Sequence, residues 1–472
     1  MVELYGTDCS TEESILELLG KDYSHHAAGR PDIVVYPKSE ERIIQTLSIC
    51  SKYLLPIIPY GSGTSLEGHT TAPTGGVCLN FKYMTKVLNI NPLDMDVTVQ
   101  PGLSWNKLNR SLAEHGLYFP LDAGPDATIG GMVATSASGT KAVRYGTMKE
   151  NVLSLRVILA SGEVIRTSRR ARKSVSGYDI TKLFISSEGT LGIVTQITLK
   201  VYKIPPFRVA ALIPFSELSD GAKAVSEIIN KDISIGMVEL MDDLMIKAIN
   251  IKFPTLFSTK IPEKPTLYLE FTGNSQEQLE YQQKEVSTIC EKFGSGFVSF
   301  VSEEKERERL FTVRKSALFA APALRNMKST GKPDDFCTTS NTDVWTTDVC
   351  VPISNLARCM AETQADLKAS GMIAPIVSHA GDGNFHLFIL LDRTNPKEVS
   401  AARELNSRLI KRALDMDGTC TGEHGVGIGK REYVEPELGQ GTVELMRNIK
   451  RMMDPLNILN PGKKVPGLNS KL

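Results

Sequence analysis

The stretch Pro59-Tyr60-Gly61-Ser62-Gly63-Thr64-Ser65-Leu66-Glu67-Gly68 follows directly on an apolar, β-branched run, Leu54 to Tyr60. A strand that opens into a turn of small residues presents successive backbone N–H groups, which form a nest for an anion such as a pyrophosphate. Tyr60, Gly61, Ser62, Gly63, Thr64 and Ser65 are therefore candidate cofactor-binding residues. No GxGxxG follows a strand and no GxxxxGK[ST] occurs, so the common dinucleotide and P-loop folds are disfavoured.

Two further stretches share this character. Gly124-Pro125-Asp126-Ala127-Thr128-Ile129-Gly130-Gly131 runs into the small-residue segment Ala134 to Gly139, and Ser187-Glu188-Gly189-Thr190-Leu191-Gly192-Ile193-Val194 leads into a strand. Small side chains let backbone approach a flat cofactor closely; singly, each stretch is equally a tight packing turn. Together they nominate Pro125, Asp126, Thr128, Gly130, Gly131, Thr135, Ser138, Gly139, Glu188, Gly189, Gly192, Ile193 and Val194.

Outward from these turns, the 472-residue chain is sized for two or three domains. From about residue 30 to 204, runs such as Val97 to Gln100 and Ile193 to Val201 alternate with helical patterns, which reads as an α+β domain. Pro205-Pro206 punctuates the chain. Beyond it come strands near 209–214, 266–272, 345–351, 373–379 and 385–391, and helices near 217–230, 275–293, 303–327 and 441–453. That order suits an antiparallel sheet covered by helices. A domain boundary is expected at Pro205-Pro206, between residues 204 and 205.

Lys+Arg and Asp+Glu both number 54, so no net field recruits nucleic acid or an anionic membrane, which favours a small-molecule site. The eight cysteines form no CxxC pair and read as reduced intracellular thiols. No apolar run is long enough to span a bilayer. The N-terminus carries Glu3, Asp8, Glu12, Glu13 and Glu17 ahead of any arginine, unlike a mitochondrial presequence. Ser470-Lys471-Leu472 is the tripeptide that peroxisomal import receptors read. The expected location is the peroxisome, with mitochondrion or cytoplasm as alternatives.

Of the seven histidines, His379, His386 and His424 sit in two short glycine-rich motifs. In His379-Ala380-Gly381-Asp382-Gly383-Asn384-Phe385-His386 the flanks are apolar and Asp382-Gly383 is a strong hairpin signal. A turn centred there places His379 and His386 directly opposite each other, Cβ atoms about 4.5–5.5 Å apart. Without it an odd separation would send them to opposite faces. Gly422-Glu423-His424-Gly425 suggests Glu423 as a third ligand. Two His and one Glu leave positions open, as in catalytic Zn²⁺ sites, and also suit Mn²⁺ or Fe²⁺; three hydrogen-bonded core histidines are the plainer alternative.

In Thr312-Val313-Arg314-Lys315-Ser316, Arg314 shares a helix face with Leu310, Ala317, Leu318 and Ala321. A guanidinium there serves a structural ion pair, snorkels, or captures a substrate carboxylate with its planar fork.

These stretches, with Arg144-Tyr145-Gly146-Thr147, Gly418 to Gly425 and Asn460-Pro461-Gly462-Lys463, resemble flavoproteins of the vanillyl-alcohol oxidase and p-cresol methylhydroxylase type with an FAD-linked oxidase C-terminal part. Most similar are the D-lactate (cytochrome-type) and D-2-hydroxyglutarate dehydrogenases, and the resemblance runs from about Arg30 to Lys463. It implies non-covalent FAD held by an FAD-binding domain over 1–204, to which a segment 426–472 returns, with Tyr145, Gly146 and Asn460 joining the residues above, and an α+β substrate and metal domain over 205–425 that caps the flavin. Arg314 would then read the substrate carboxylate, Asn384 orient the substrate, and His424 take the 2-hydroxyl proton. Zn²⁺ or Mn²⁺ on His379, His386 and Glu423 would acidify that hydroxyl, and hydride would pass from C2 to flavin N5.

Thr346-Thr347 stand where D-2-hydroxyglutarate relatives carry a lysine ahead of the aspartate matched by Asp348, which favours lactate or a similar short acid. An O₂-using 2-hydroxy-acid oxidase, alkyl-dihydroxyacetonephosphate synthase and a flavin-free metalloenzyme are the rival functions. The expected partners are a small 2-hydroxy acid, an acceptor among O₂, cytochrome c and other carriers, and a peroxisomal import receptor, with a homodimer left open.

Overall fold

Ile33–Val35, Ile57–Tyr60 and Val77–Asn80 are short and almost wholly buried, as strands covered on both faces must be. The computed structural model describes every residue except Pro125, 255–260, 326–341 and 469–472. In it these strands run parallel in a four-stranded sheet ordered Cys9–Ser10, Ile33–Val35, Val77–Asn80, Ile57–Tyr60, with the first strand antiparallel. The helix Glu40–Tyr53 connects two of them and buries Ile43, Leu47 and Cys50. A second, antiparallel sheet has the order Val87–Asn91, Asp96–Val99, Ile193–Lys200, Val152–Ile158, Val164–Arg166. Val97, Leu155, Phe184 and Ile197 lie in the core beside it.

The chain divides into two units, one of Met1–Gly139, Tyr145–Ile204 and Glu423–Leu472, the other of Thr140–Arg144 and Pro205–Gly422. The return segment therefore starts at Glu423, ahead of the position 426 read from sequence. Hydrogen bonds bracket the boundary. Thr419 N–H donates to Cys350 O at 2.8 Å inside the second unit, whereas Val426 and Gly427 donate theirs to the Glu188 carboxylate inside the first. Farther on, Leu459 bridges Ile57 in parallel, and Asn460 N–H donates to Ile57 O at 2.8 Å.

The second unit is built on an antiparallel sheet ordered Ser299–Val301, Phe207–Pro214, Thr266–Gly273, Ile235–Met241, Ile376–His379, Asn384–Asp392, Thr342–Thr346, with Val349–Cys350 also pairing to the Asn384 strand. On one face Ala210, Met237, Tyr268, Val377 and Phe388 pack with Met245, Leu310, Val313 and Ala317 from the helices Asp243–Lys252 and Glu304–Lys315 and the short turn Ala317–Ala320. Side chains alternate along a strand, so Glu239, His379, Asn384 and His386 share this face.

Three expectations need correction. The hairpin pairs His379 with Asn384 and Val377 with His386, because Ala380–Asp382 form a 3₁₀ turn and Gly383 takes φ +78°. His379 and His386 are thus diagonal rather than opposite; the slip leaves both on one face, since it moves the register by whole side-chain periods. The helix expected over 303–327 ends at Lys315, where Ser316 at φ −89°, ψ 3° turns the chain into Ala317–Ala320. Last, the fully buried strand Ile235–Met241 was not anticipated.

Candidate functional site

In the first unit, the turn after Ile57–Tyr60 lies hard against Thr128. A Cβ on Gly61 would sit 2.2 Å from Thr128 Oγ1, and Gly63, at φ +69°, would place one 2.0 Å from the Tyr60 hydroxyl, so both positions require glycine. Thr128 caps the helix Ile129–Thr135, its hydroxyl accepting from Gly131 N–H at 3.4 Å. Ser62 and Thr64 hydroxyls lie 3.3 Å apart, and Thr135 donates to Gly131 O at 3.2 Å. Gly139 packs on Asp122, and the chain about Ser138 is buried. Asp126 is exposed beside Asn106, while Pro125 lies outside the described residues.

The Ser187–Val194 turn docks on the same strand, with Gly189 against Pro59. Asn460 holds this junction, its Nδ2 donating to Glu188 O at 2.8 Å and to His69 O at 3.1 Å. The Glu188 side chain, nominated for cofactor contact, is engaged inside the protein: it accepts from Val426 and Gly427 N–H at 2.8 and 2.9 Å and pairs with Lys464 at 3.3 Å. Burial alone would raise its pKa, but Lys464, His69 and the Val426 N–H outweigh it and hold the carboxyl well below its ordinary range. Lys463, buried and donating to Thr71 O, is pushed down to about 8 by burial.

Gly192 and Ile193 are packing positions, Gly192 meeting Val157 and Ile193 lying in the core, with Val194 half-buried. Tyr145 packs against Tyr118 and Tyr202, and Gly146 abuts Glu150 of the neighbouring capping box. His69 was outside the nominated set, yet it is buried, with Nε2 3.3 Å from Glu188 but off the hydrogen-bond line and Nδ1 lacking a hydrogen-bond partner among the described residues. A loop that only glycine can fill, backed by a helix cap, together with a buried orphan imidazole nitrogen, fits a bound dinucleotide such as FAD.

The second unit gathers charge on regular strands. Leu240 pairs with Ser378 and Met241 with Val377, a register that brings Glu239 opposite His379. The Glu239 carboxylate, fully buried, bridges two of the predicted residues: Oε1 meets His379 Nδ1 at 2.7 Å, and Oε2 accepts from Arg314 Nε at 2.7 Å. Arg314 is therefore a structural ion pair as well as a candidate carboxylate reader. Sequence reading passed over Glu239, although one acidic residue inside the apolar run Ile235 to Met241 was the available signal, because a buried charge requires partners.

His386 Nδ1 lies 2.9 Å from Thr347 O and 3.7 Å from the buried Asp348 carboxylate. Asp348 accepts from Asn384 Nδ2 and from the Thr421 hydroxyl, each at 2.7 Å. With acceptors at Nδ1, both imidazoles donate from that nitrogen, as metal-ligating histidines do to carboxylates and backbone carbonyls. The two rings stand at 85° with centroids 5.6 Å apart, and a ligand nitrogen of one lies within 4.8 Å of one on the other. Asn384 Oδ1, beside them, is buried without a hydrogen-bond partner among the described residues. Two imidazoles and an orphan carbonyl oxygen fit a divalent ion or a hydroxylated ligand. Gly422 packs on Asn384, and the next two residues along the chain are Glu423 and His424.

Residues 31–168 match the FAD binding domain, and residues 204–464 match the C-terminal domain of FAD linked oxidases. The chain is 44% identical over 442 residues to the mitochondrial D-lactate dehydrogenase [cytochrome] of Arabidopsis thaliana, covering 94% of this chain and 75% of that one. A probable mitochondrial D-lactate dehydrogenase of Danio rerio is 43% identical over 457 residues, 96% of this chain and 88% of the relative. Substrate-bound p-cresol methylhydroxylase superposes with a TM-score of 0.73 at 19% identity, covering 99% of this chain and 95% of that one, a likeness of fold.

Proposed function

The chain belongs to the FAD linked oxidases, and from that premise we propose that it is an FAD-dependent D-lactate dehydrogenase, oxidising D-lactate to pyruvate with a divalent ion beside the substrate. The observation that supports this best is the buried face on which Glu239 joins His379 to Arg314 while Asp348 holds Asn384 next to His386. It supports a carboxylate reader reaching in from the helix Glu304–Lys315 toward a hydroxyl acceptor and two imidazoles on the sheet.

His379, His386 and Glu423 would hold the ion, Zn²⁺ or Mn²⁺. FAD would supply the acceptor for the C2 hydride, and the ion would supply Lewis acidity. Arg314 fixes the carboxylate end of the acid, and Asn384 Oδ1 accepts from the 2-hydroxyl until His424 takes its proton. The glycine-lined turn from Tyr60 to Ser65 and the Thr128 cap receive the pyrophosphate of FAD.

The two relatives are mitochondrial by name, and one carries a cytochrome in its name, which supports a mitochondrial setting and a cytochrome acceptor over the peroxisomal address. Ser470, Lys471 and Leu472 lie outside the described residues. No described helix is long and apolar enough to cross a membrane. Anaerobic mixing with D-lactate should bleach the flavin band, and His424→Ala should abolish that bleaching with FAD retained. A flavin that stays oxidised with D-lactate but is reduced by glycolate or D-2-hydroxyglutarate would reassign the substrate.

A further inference from the structure

One row of side chains crosses the second unit's sheet. Leu212 pairs with Tyr268, Tyr268 with Glu239, and His379 with Asn384, while Glu239 and His379 are joined by their 2.7 Å contact. Tyr268 is thus the next side chain in line after the pair that links Arg314 to His379. Its ring is held by the apolar cluster of Leu310, Val313 and Phe311, the Phe311 centroid 5.8 Å away. Its residue is 1% exposed, yet its hydroxyl has no hydrogen-bond partner among the described residues.

A phenylalanine would satisfy the same packing without leaving a buried hydroxyl unmade, so the oxygen needs another explanation. Burial, then the carboxylates of Glu270 and Glu239, push the phenol pKa up, which keeps it protonated and hence a donor. Glu239 is committed to Arg314 and His379, while Glu270 pairs with Arg208 through Oε1 and lies 3.7 Å from Lys141 through Oε2; neither carboxylate accepts from the phenol. An anion arriving beside Arg314 is an acceptor of the right charge for it.

We propose that Tyr268 is a substrate-binding residue whose hydroxyl donates to the carboxylate of the bound 2-hydroxy acid, alongside Arg314. This rests on the dehydrogenase reading, but its test separates the two. Tyr268→Phe holoenzyme is compared with wild type for oxalate binding, read from the flavin absorbance change, and for anaerobic reduction by D-lactate. Losing a hydrogen bond to a charged group should weaken oxalate binding and raise the apparent Kd for D-lactate about 10- to 100-fold, with FAD and metal content unchanged. Unchanged oxalate affinity in a variant that melts at the same or a higher temperature would overturn the proposal, as would a wild type that binds no oxalate. If D-lactate fails to reduce the wild-type flavin, the functional reading falls while the oxalate comparison still judges Tyr268.

Discussion

The turn after Tyr60 and the polar row of the second unit place functional groups by opposite means. In the turn, side chains are removed so that backbone can come close: Gly61 lies where any Cβ would strike Thr128. In the row, the backbone stays regular and long side chains do the reaching, with Glu239 clasping residues 75 and 140 positions away in sequence. A backbone cradle depends on local conformation, whereas a charged row depends on strand register. The first should fail by losing its ligand, the second by losing chemistry with the ligand still bound.

His386→Ala tests that contrast most severely. Removing a ligand nitrogen from the row should slow flavin reduction by D-lactate about 1,000-fold, the several kcal/mol a Lewis acid supplies, while the FAD spectrum stays intact. Loss of FAD from this variant would break the comparison.

Glu239→Gln keeps the shape and removes the charge that orients His379 and Arg314. Metal affinity, measured by titration against a chelator, should fall about 10- to 100-fold. Unaltered affinity would mean that packing alone positions His379.

Gly61→Ala probes the cradle. Its new methyl must displace Thr128, and FAD retention through ultrafiltration should drop about 10-fold, with metal binding untouched. Equal losses of both would show that the two regions are less separable than their construction suggests.

Asp242, next to the row, gives the smallest effect. It caps the helix Asp243–Lys252 through Met245 N–H, and burial pushes its carboxyl up from 3.8 to about 8. Between those values the folded chain keeps a proton that the unfolded chain has lost, so stability falls as pH rises through the window. Asp242→Asn retains a capping oxygen and should stabilise by roughly 1–3 kcal/mol at pH 9 and by very little at pH 4, read from denaturant midpoints. A constant difference across pH would remove the titration from the account.

Much of this was legible before folding. Gly61, Gly63 and Thr128 announce themselves because a strand followed by glycine has few uses. His379 and His386 were legible as a pair, though the turn was misplaced: Asp382-Gly383 has the composition of a two-residue hairpin, but the chain closes through Ala380–Asp382. Glu188 was nominated with its small neighbours for cofactor contact, but its carboxylate faces inward to Val426 and Gly427. Tyr268 carried no local motif, and Glu239 only the signal of one acidic residue in an apolar run.

The sequence by itself determined the local pieces: the glycine turn, the helix cap, the paired histidines and an arginine in need of an anion, because each is set by residues a few positions apart. Tertiary structure alone decided which charges meet. Whether Glu239 faces His379 depends on antiparallel pairing between strands more than a hundred residues apart, and shifting that register by one residue would turn the whole polar row to the opposite face.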